Sequence, residues 1–198
     1  MAADAAGPRR LFAAIELPAP AVEAYVRFQR VAAADWPGAR WTAPVNLHIT
    51  VCFFGDVASA SIEPLAAALA EAARRSDPFI LKPTDTVLAP PGRRPPTMIW
   101  GAWAASPEFS RLAADVRQAA APFAAQMPEA KEALPHVTLA RFREGIQTKT
   151  GLPLQAGASD QGPFQAVSLT LFESHLSSGG PNYARLREFP LSADRQRP

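Results

Sequence analysis

His48 and Thr50 stand two residues apart, and so do His136 and Thr138, 88 residues further along the chain. Both pairs sit in one short pattern, His-apolar-Thr-apolar, read as His48-Ile49-Thr50-Val51 and His136-Val137-Thr138-Leu139. The chain holds three histidines and nine threonines. Random placement would set a threonine two positions after two of those histidines about one time in a hundred. An imidazole titrates near neutral pH, so one can take a proton while another gives one. Displacement at phosphorus needs both acts, because the attacking oxygen loses a proton and the leaving oxygen gains one. Two hydroxyls beside the imidazoles can donate to the non-bridging oxygens, where negative charge develops. A cyclic phosphodiester opened by water suits such a site, and no metal is required.

These residues must be held by strands. Side chains alternate between the two faces of a β-strand, so His48 and Thr50 share one face while Leu47, Ile49 and Val51 point to a core. His136 and Thr138 do the same against Val137 and Leu139. By the same parity Cys52 joins the His48 face, although nothing places a base beside it to make it a nucleophile.

Composition sets the frame. With 198 residues, 48% hydrophobic and 19% charged, the chain suits one globular domain with a substantial core and room for two lobes. A net charge of +2 permits an anionic ligand without demanding a nucleic-acid groove. The single cysteine excludes an intramolecular disulfide and fits a reducing compartment. Residues 1–9 do not read as a signal peptide, since the arginines follow the small residues. They are expected to be a disordered leader, residues 10–191 a single domain, and residues 192–198 a loose tail. No apolar run is long enough to span a bilayer, and a cytoplasmic protein is expected.

In order, Arg10 to Leu17 reads as a strand stopped by Pro18 and Pro20, followed by a helix to about Ala34. The first histidine strand runs from about Val45 to Phe54 and is ended by Gly55-Asp56. Ser61 is placed to cap a helix carrying Leu65 and Leu69. Phe79 to Leu88 is a strand interrupted by Pro83, and a stiff basic loop with Arg93 and Arg94 leads to a strand over Thr97 to Trp103. Ser106-Pro107-Glu108 opens a helix to about Ala121. The second histidine strand spans Pro135 to Phe142, a flexible loop Gly145 to Gly162, and strands Phe164 to Leu176 and Tyr183 to Leu191. Two similar halves of strands and helices predict an α+β fold built by duplication. If the halves face one another about a pseudo-twofold axis, both His-Thr faces line one groove.

With its paired His-x-Thr-x elements, the chain resembles the 2H phosphoesterase superfamily, specifically the bacterial RNA 2',3'-cyclic phosphodiesterases once named 2'-5' RNA ligases. Supporting markers are Arg10 to Pro18, Asn46-Leu47-His48-Ile49-Thr50, Phe53-Phe54-Gly55-Asp56, Pro135 to Arg141, Phe172-Glu173-Ser174 and Gly180-Pro181-Asn182-Tyr183. The resemblance implies two antiparallel sheets flanking a V-shaped groove with helices outside. It implies hydrolysis of RNA or nucleotide 2',3'-cyclic phosphate ends to a 2'-phosphomonoester without metal or cofactor, and a weak, reversible 2'-5' joining of RNA ends. By motif position His48 would protonate the leaving 3'-oxygen and His136 would activate water, with Thr50 and Thr138 holding the phosphate. The residues alone leave the acid and base labels interchangeable.

Arg141 lies five residues after His136, so simple parity sends it to the opposite face. The family's matching arginine lies at the phosphate, which requires a bulge or the strand end here. Phe53 holds the same place after His48 and is open to two readings, stacking on a base or sugar or packing in the core. Pro95-Pro96-Thr97 stands where family members often carry an arginine, with Arg93 and Arg94 displaced upstream. His175 lacks a threonine partner and reads as structural or exposed, and Glu173 as architectural. RNA termini or small cyclic nucleotides are the expected partners, with no membrane and no obligate protein partner; a monomer is expected. A non-catalytic RNA- or nucleotide-binding module is the alternative of a different class, although binding alone needs no second acid-base group. A metal-dependent hydrolase is disfavoured by the lack of a local ligand cluster.

Overall fold

The structure is a computed structural model that describes residues 7–90, 95–124, 127, 133–146, 161–177 and 180–192. Among these residues ten strands and three α-helices follow in the order β1 (Arg9–Glu16), α1 (Ala19–Ala32), β2 (Arg40–Trp41), β3 (His48–Val57), α2 (Ile62–Arg74), β4 (Phe79–Leu81), β5 (Pro83–Ala89), β6 (Met98–Trp103), α3 (Pro107–Ala120), β7 (His136–Arg141), β8 (Phe164–Ala166), β9 (Ser168–Ser177) and β10 (Gly180–Pro190). The predicted α+β class holds. The basic loop with Arg93 and Arg94, most of the loop predicted over Gly145 to Gly162, and parts of the leader and tail lie outside the described residues.

The strands form a large antiparallel sheet in the order β10-β9-β1-β3-β7-β6-β5, with β2 added on β7, and a small sheet of β4 with β8. The large sheet is two lobes that barely touch. Strands β3 and β7, the two histidine strands, meet through a single pair, Ile49 opposite Val137. One lobe is β10-β9-β1-β3 and the other β7-β6-β5 with β2, so the histidine strands are the inner edges of both.

The 88-residue offset extends beyond the motifs. It relates β1 to β6, and it carries Ala19 and Ala32, the ends of α1, onto Pro107 and Ala120, the ends of α3. The helices are exchanged between lobes. From α1, the Gln29 side chain donates to the carbonyls of Leu139 and Thr42 (3.1 and 2.9 Å), and Tyr25 lies so close over Gly101 that any Cβ there would collide with its ring. Thus α1 covers the second lobe, while α3 packs on β3 and α2 on β9 and β10 of the first. Leu65, Leu69, Leu112 and Val116, from the apolar faces of α2 and α3, are fully buried. A leucine buried in this way contributes about 1.5–3 kcal/mol.

Several predicted boundaries move for local reasons. The first histidine strand begins at His48, because Pro44–Asn46 forms a single 3₁₀ turn. It runs through Gly55-Asp56 to Val57: Gly55 adopts φ of 74° and bends the strand without ending it. Ser61 takes the N-cap position of α2 but makes no side-chain capping bond, whereas the Ser106 hydroxyl accepts from the Phe109 N–H as predicted. Pro83 divides its region into β4 and β5, which join different sheets. The strand predicted from Phe164 breaks at Val167 into β8 and β9 in the same way. No helix among the described residues is long and apolar enough to cross a membrane.

Candidate active site

The groove between the lobes has a volume of about 550 Å³, and His48, Thr50, His136 and Thr138 all line it, with Phe53 and Arg141. Simple alternation accounts for the first four. The last two depend on bulges at equivalent places. Ala14 faces Thr50 and Ala13 faces Cys52, which leaves Val51 as an extra residue in β3. Trp100 faces Thr138 and Ile99 faces Ala140, which leaves Leu139 as an extra residue in β7. Each inserted residue reverses the parity that follows. Phe53 is thereby turned out and is 43% exposed, and Arg141 is likewise exposed at the groove.

The same bulge corrects the expectation for Cys52. It does not share the His48 face but belongs to the buried core, where burial raises its thiol pKa against the opposing influence of Arg117. His175 lies outside the groove, 3.3 Å from Glu173, whose carboxylate also pairs with Arg9. The Arg9 hydrogen bond holds Glu173 below the usual carboxylate range, so this cluster ties β1 to β9 and serves architecture.

Both imidazoles are fixed in one tautomer by the backbone two residues upstream. His48 Nδ1–H donates to the Asn46 carbonyl and His136 Nδ1–H to the Leu134 carbonyl, each at 2.8 Å. Carbonyls only accept, so in the neutral ring each Nε2 carries the lone pair. The Thr50 hydroxyl lies 3.0 Å from His48 Nε2 and donates to it. Both histidine pKa values are lowered, chiefly by burial. That of His48 falls to about 4, with His136 and Arg141 lowering it further and the Asn46 carbonyl opposing; that of His136 falls with Arg141 adding to the effect.

Aromatic rings supply the burial. Phe12 packs on His48 with ring centroids 4.9 Å apart, Tyr183 meets it edge-on at 5.2 Å, and Phe172 lies behind at 6.2 Å. On the other wall Trp100 stacks on His136 at 3.7 Å. Tyr183 stays a neutral hydroxyl, its pKa raised by burial. Among the described residues the lining includes Arg40 and Arg141 but no aspartate or glutamate, so this lining is electropositive and matched to an anion. Among the described residues no group of three His, Cys, Asp or Glu side chains comes together that could hold a metal ion.

The structure brings the six predicted residues to one groove, and sequence reasoning misses Trp100, Tyr183, Asn46 and Arg40 beside them. The repeat offset could have found Trp100, which lies 88 residues after Phe12 and serves the second histidine as Phe12 serves the first. Asn46 is visible in the motif without a role. Its Nδ2 donates to the Pro181 carbonyl at 2.7 Å, pinning the turn before β3 to the start of β10.

Comparison with known proteins defines the class. Residues 15–100 match the family model described as LigT like Phosphoesterase. An RNA 2',3'-cyclic phosphodiesterase of Bacillus subtilis (strain 168) is 30% identical over 154 residues, which cover 77% of this chain and 81% of that protein. The chain therefore belongs to the LigT-like 2H phosphoesterase superfamily. It is 27% identical over 184 residues to an RNA 2',3'-cyclic phosphodiesterase of Geobacillus stearothermophilus; these cover 91% of this chain but only 56% of that protein's length. The crystal structure of a Thermus thermophilus protein shares the fold with a TM-score of 0.80 and 26% identity, over 94% of this chain and 100% of that one.

Proposed function

We propose that this protein hydrolyses the 2',3'-cyclic phosphate of RNA or nucleotide ends to a 2'-phosphomonoester by two-histidine acid-base catalysis. The observation that carries the proposal is the placement of both His-Thr pairs on one groove, each imidazole held in the same tautomer. In the reaction, His136 Nε2 takes a proton from water as its oxygen attacks phosphorus. The bond from phosphorus to the 3'-oxygen breaks, and the protonated His48 gives its Nε2 proton to that oxygen. Thr50, Thr138 and Arg141 stabilise charge on the non-bridging oxygens. Phe53 stacks on the base or sugar.

The lowered pKa values fit both roles. A depressed pKa keeps His136 neutral and able to accept. It also makes the His48 imidazolium a strong acid, whose formation the arriving phosphate anion favours. The two imidazoles perform both proton transfers, so the reaction as proposed needs no metal. A weak reversible 2'-5' joining is the same ring opening with the 5'-hydroxyl of a second RNA end in place of water: His136 takes its proton, its oxygen bonds phosphorus, and the 3'-oxygen leaves with the His48 proton.

The test is incubation with an oligonucleotide ending in 2',3'-cyclic phosphate, in excess EDTA. Conversion to the 2'-phosphate is expected. Unchanged substrate would overturn the proposal, and a 3'-phosphate product would contradict the assigned leaving group.

A further inference from the structure

We propose that Arg40, set beside the Arg141 that holds the reacting phosphate, forms a second anion subsite, which takes the internucleotide phosphate next to the terminal nucleotide of an RNA chain. This rests on the phosphodiesterase reading above and deepens it, by making a chain end rather than a free cyclic mononucleotide the fitting substrate.

Strand β2 is only two residues long, and its register on β7 sets Arg40 directly opposite Arg141. Residues so paired project to the same face with Cα atoms about 4.5–5.5 Å apart, and like charges in that position destabilise a sheet. The position is nevertheless fixed from behind. Trp41 packs against the core and meets Phe28 edge-on at 6.3 Å.

Neither guanidinium meets a carboxylate among the described residues. Arg141 donates to the Met98 sulfur at 3.1 Å, a weak acceptor, and both arginines line the groove. Three arginines of the first lobe behave differently: Arg9, Arg185 and Arg187 are matched to Glu173, Glu16 and Glu63. Two exposed cations facing each other on a wall with no carboxylate among its described residues call for more than one negative charge. The reacting cyclic phosphate brings a single charge and lies at the histidines, within reach of Arg141. The next phosphate of an RNA chain supplies the second, and Arg40, on the edge strand, stands where the groove opens to solvent.

The experiment compares kcat/KM for a 2',3'-cyclic mononucleotide and a cyclic-phosphate-terminated dinucleotide, in the wild type and in Arg40→Gln. In parallel, binding of the 2'-phosphate-terminated dinucleotide is measured against salt. The wild type should prefer the dinucleotide by about tenfold, and Arg40→Gln should bring that ratio toward one. The slope of log affinity against log salt should become shallower by about 0.7, the value for one single-strand phosphate contact. Equal loss on both substrates would overturn the subsite, because Arg40 would then be gripping the reacting phosphate. If the wild type turns over neither substrate, the phosphodiesterase reading fails, and the binding arm still decides: a reduced salt slope upholds the subsite and an unchanged slope overturns it.

Discussion

The two histidine strands repeat one backbone device with different side chains around it. In both, the imidazole Nδ1 bonds the carbonyl two residues upstream, an aromatic ring from the neighbouring strand lies on the imidazole, and a bulge follows the threonine. The equivalents that differ are Phe53 against Arg141 and Asn46 against Leu134. One wall offers an apolar ring where the other offers a cation. One histidine hangs from a carbonyl whose residue is pinned to Pro181, while the other hangs from Leu134, which is 43% exposed. Repetition preserved the geometry that aims two Nε2 atoms into a groove; divergence gave that groove two unlike sides, an apolar ring on one and a cation on the other.

The largest expected effect tests whether both copies perform chemistry. His48→Ala and His136→Ala should each lower kcat by about 10²–10⁴, with thermal melts showing that the fold persists. The double variant should cost little more than the worse single one, because the two residues act in one displacement. A single variant that keeps wild-type turnover would reduce the pair to one working copy.

Much of this is legible in the chain because the histidine pattern and its apolar neighbours record strand parity directly. Parity also marks its own failure points. Arg141 reaches the groove only through a bulge, and that bulge is present at Leu139. The matching bulge at Val51 leaves no trace in the sequence, so parity sends Cys52 to the wrong face and leaves Phe53 open. Bulges resist sequence reading because they are set by pairing with a partner strand, here β1 and β6, and not by the residue inserted. The exchange of α1 and α3 between lobes and the addition of β9 and β10 to the first lobe are likewise long-range outcomes. Local periodicity carries no record of them. Arg40 is hidden for the same reason, since a two-residue strand has no period to detect.

A smaller effect sharpens the difference between the two supports. Asn46→Leu installs the second copy's residue in the first, removing the bond to Pro181 and loosening the carbonyl that holds His48. Losing one such hydrogen bond costs about 1 kcal/mol, so a fall in kcat of roughly fivefold to tenfold is expected with little change in KM. The reciprocal Leu134→Asn, at an exposed site, should cost less. Equal losses would show that the Pro181 anchor does not distinguish the histidines.

A last effect is on stability alone, and it isolates the burial of His48. In the unfolded chain this histidine titrates near its ordinary 6.5, and in the folded protein near 4. Above pH 6.5 it is neutral in both states and contributes no pH dependence. As pH falls from 6.5 toward 4, the unfolded state binds the proton first, so the folded state loses stability across that window. Replacing the ring with glutamine removes this titration while other acid-sensitive groups, such as the Arg9–Glu173 pair, continue to titrate. The difference in Tm between His48→Gln and the wild type should therefore be flat above pH 7 and shift in favour of the variant between pH 6.5 and 4. His136→Gln should shift in the same direction, since its pKa is lowered too. Parallel melting curves for the wild type and His48→Gln across that window would mean that the aromatic cage of Phe12, Phe172 and Tyr183 does not keep the imidazole neutral. The strong-acid role proposed for His48 would fall with it.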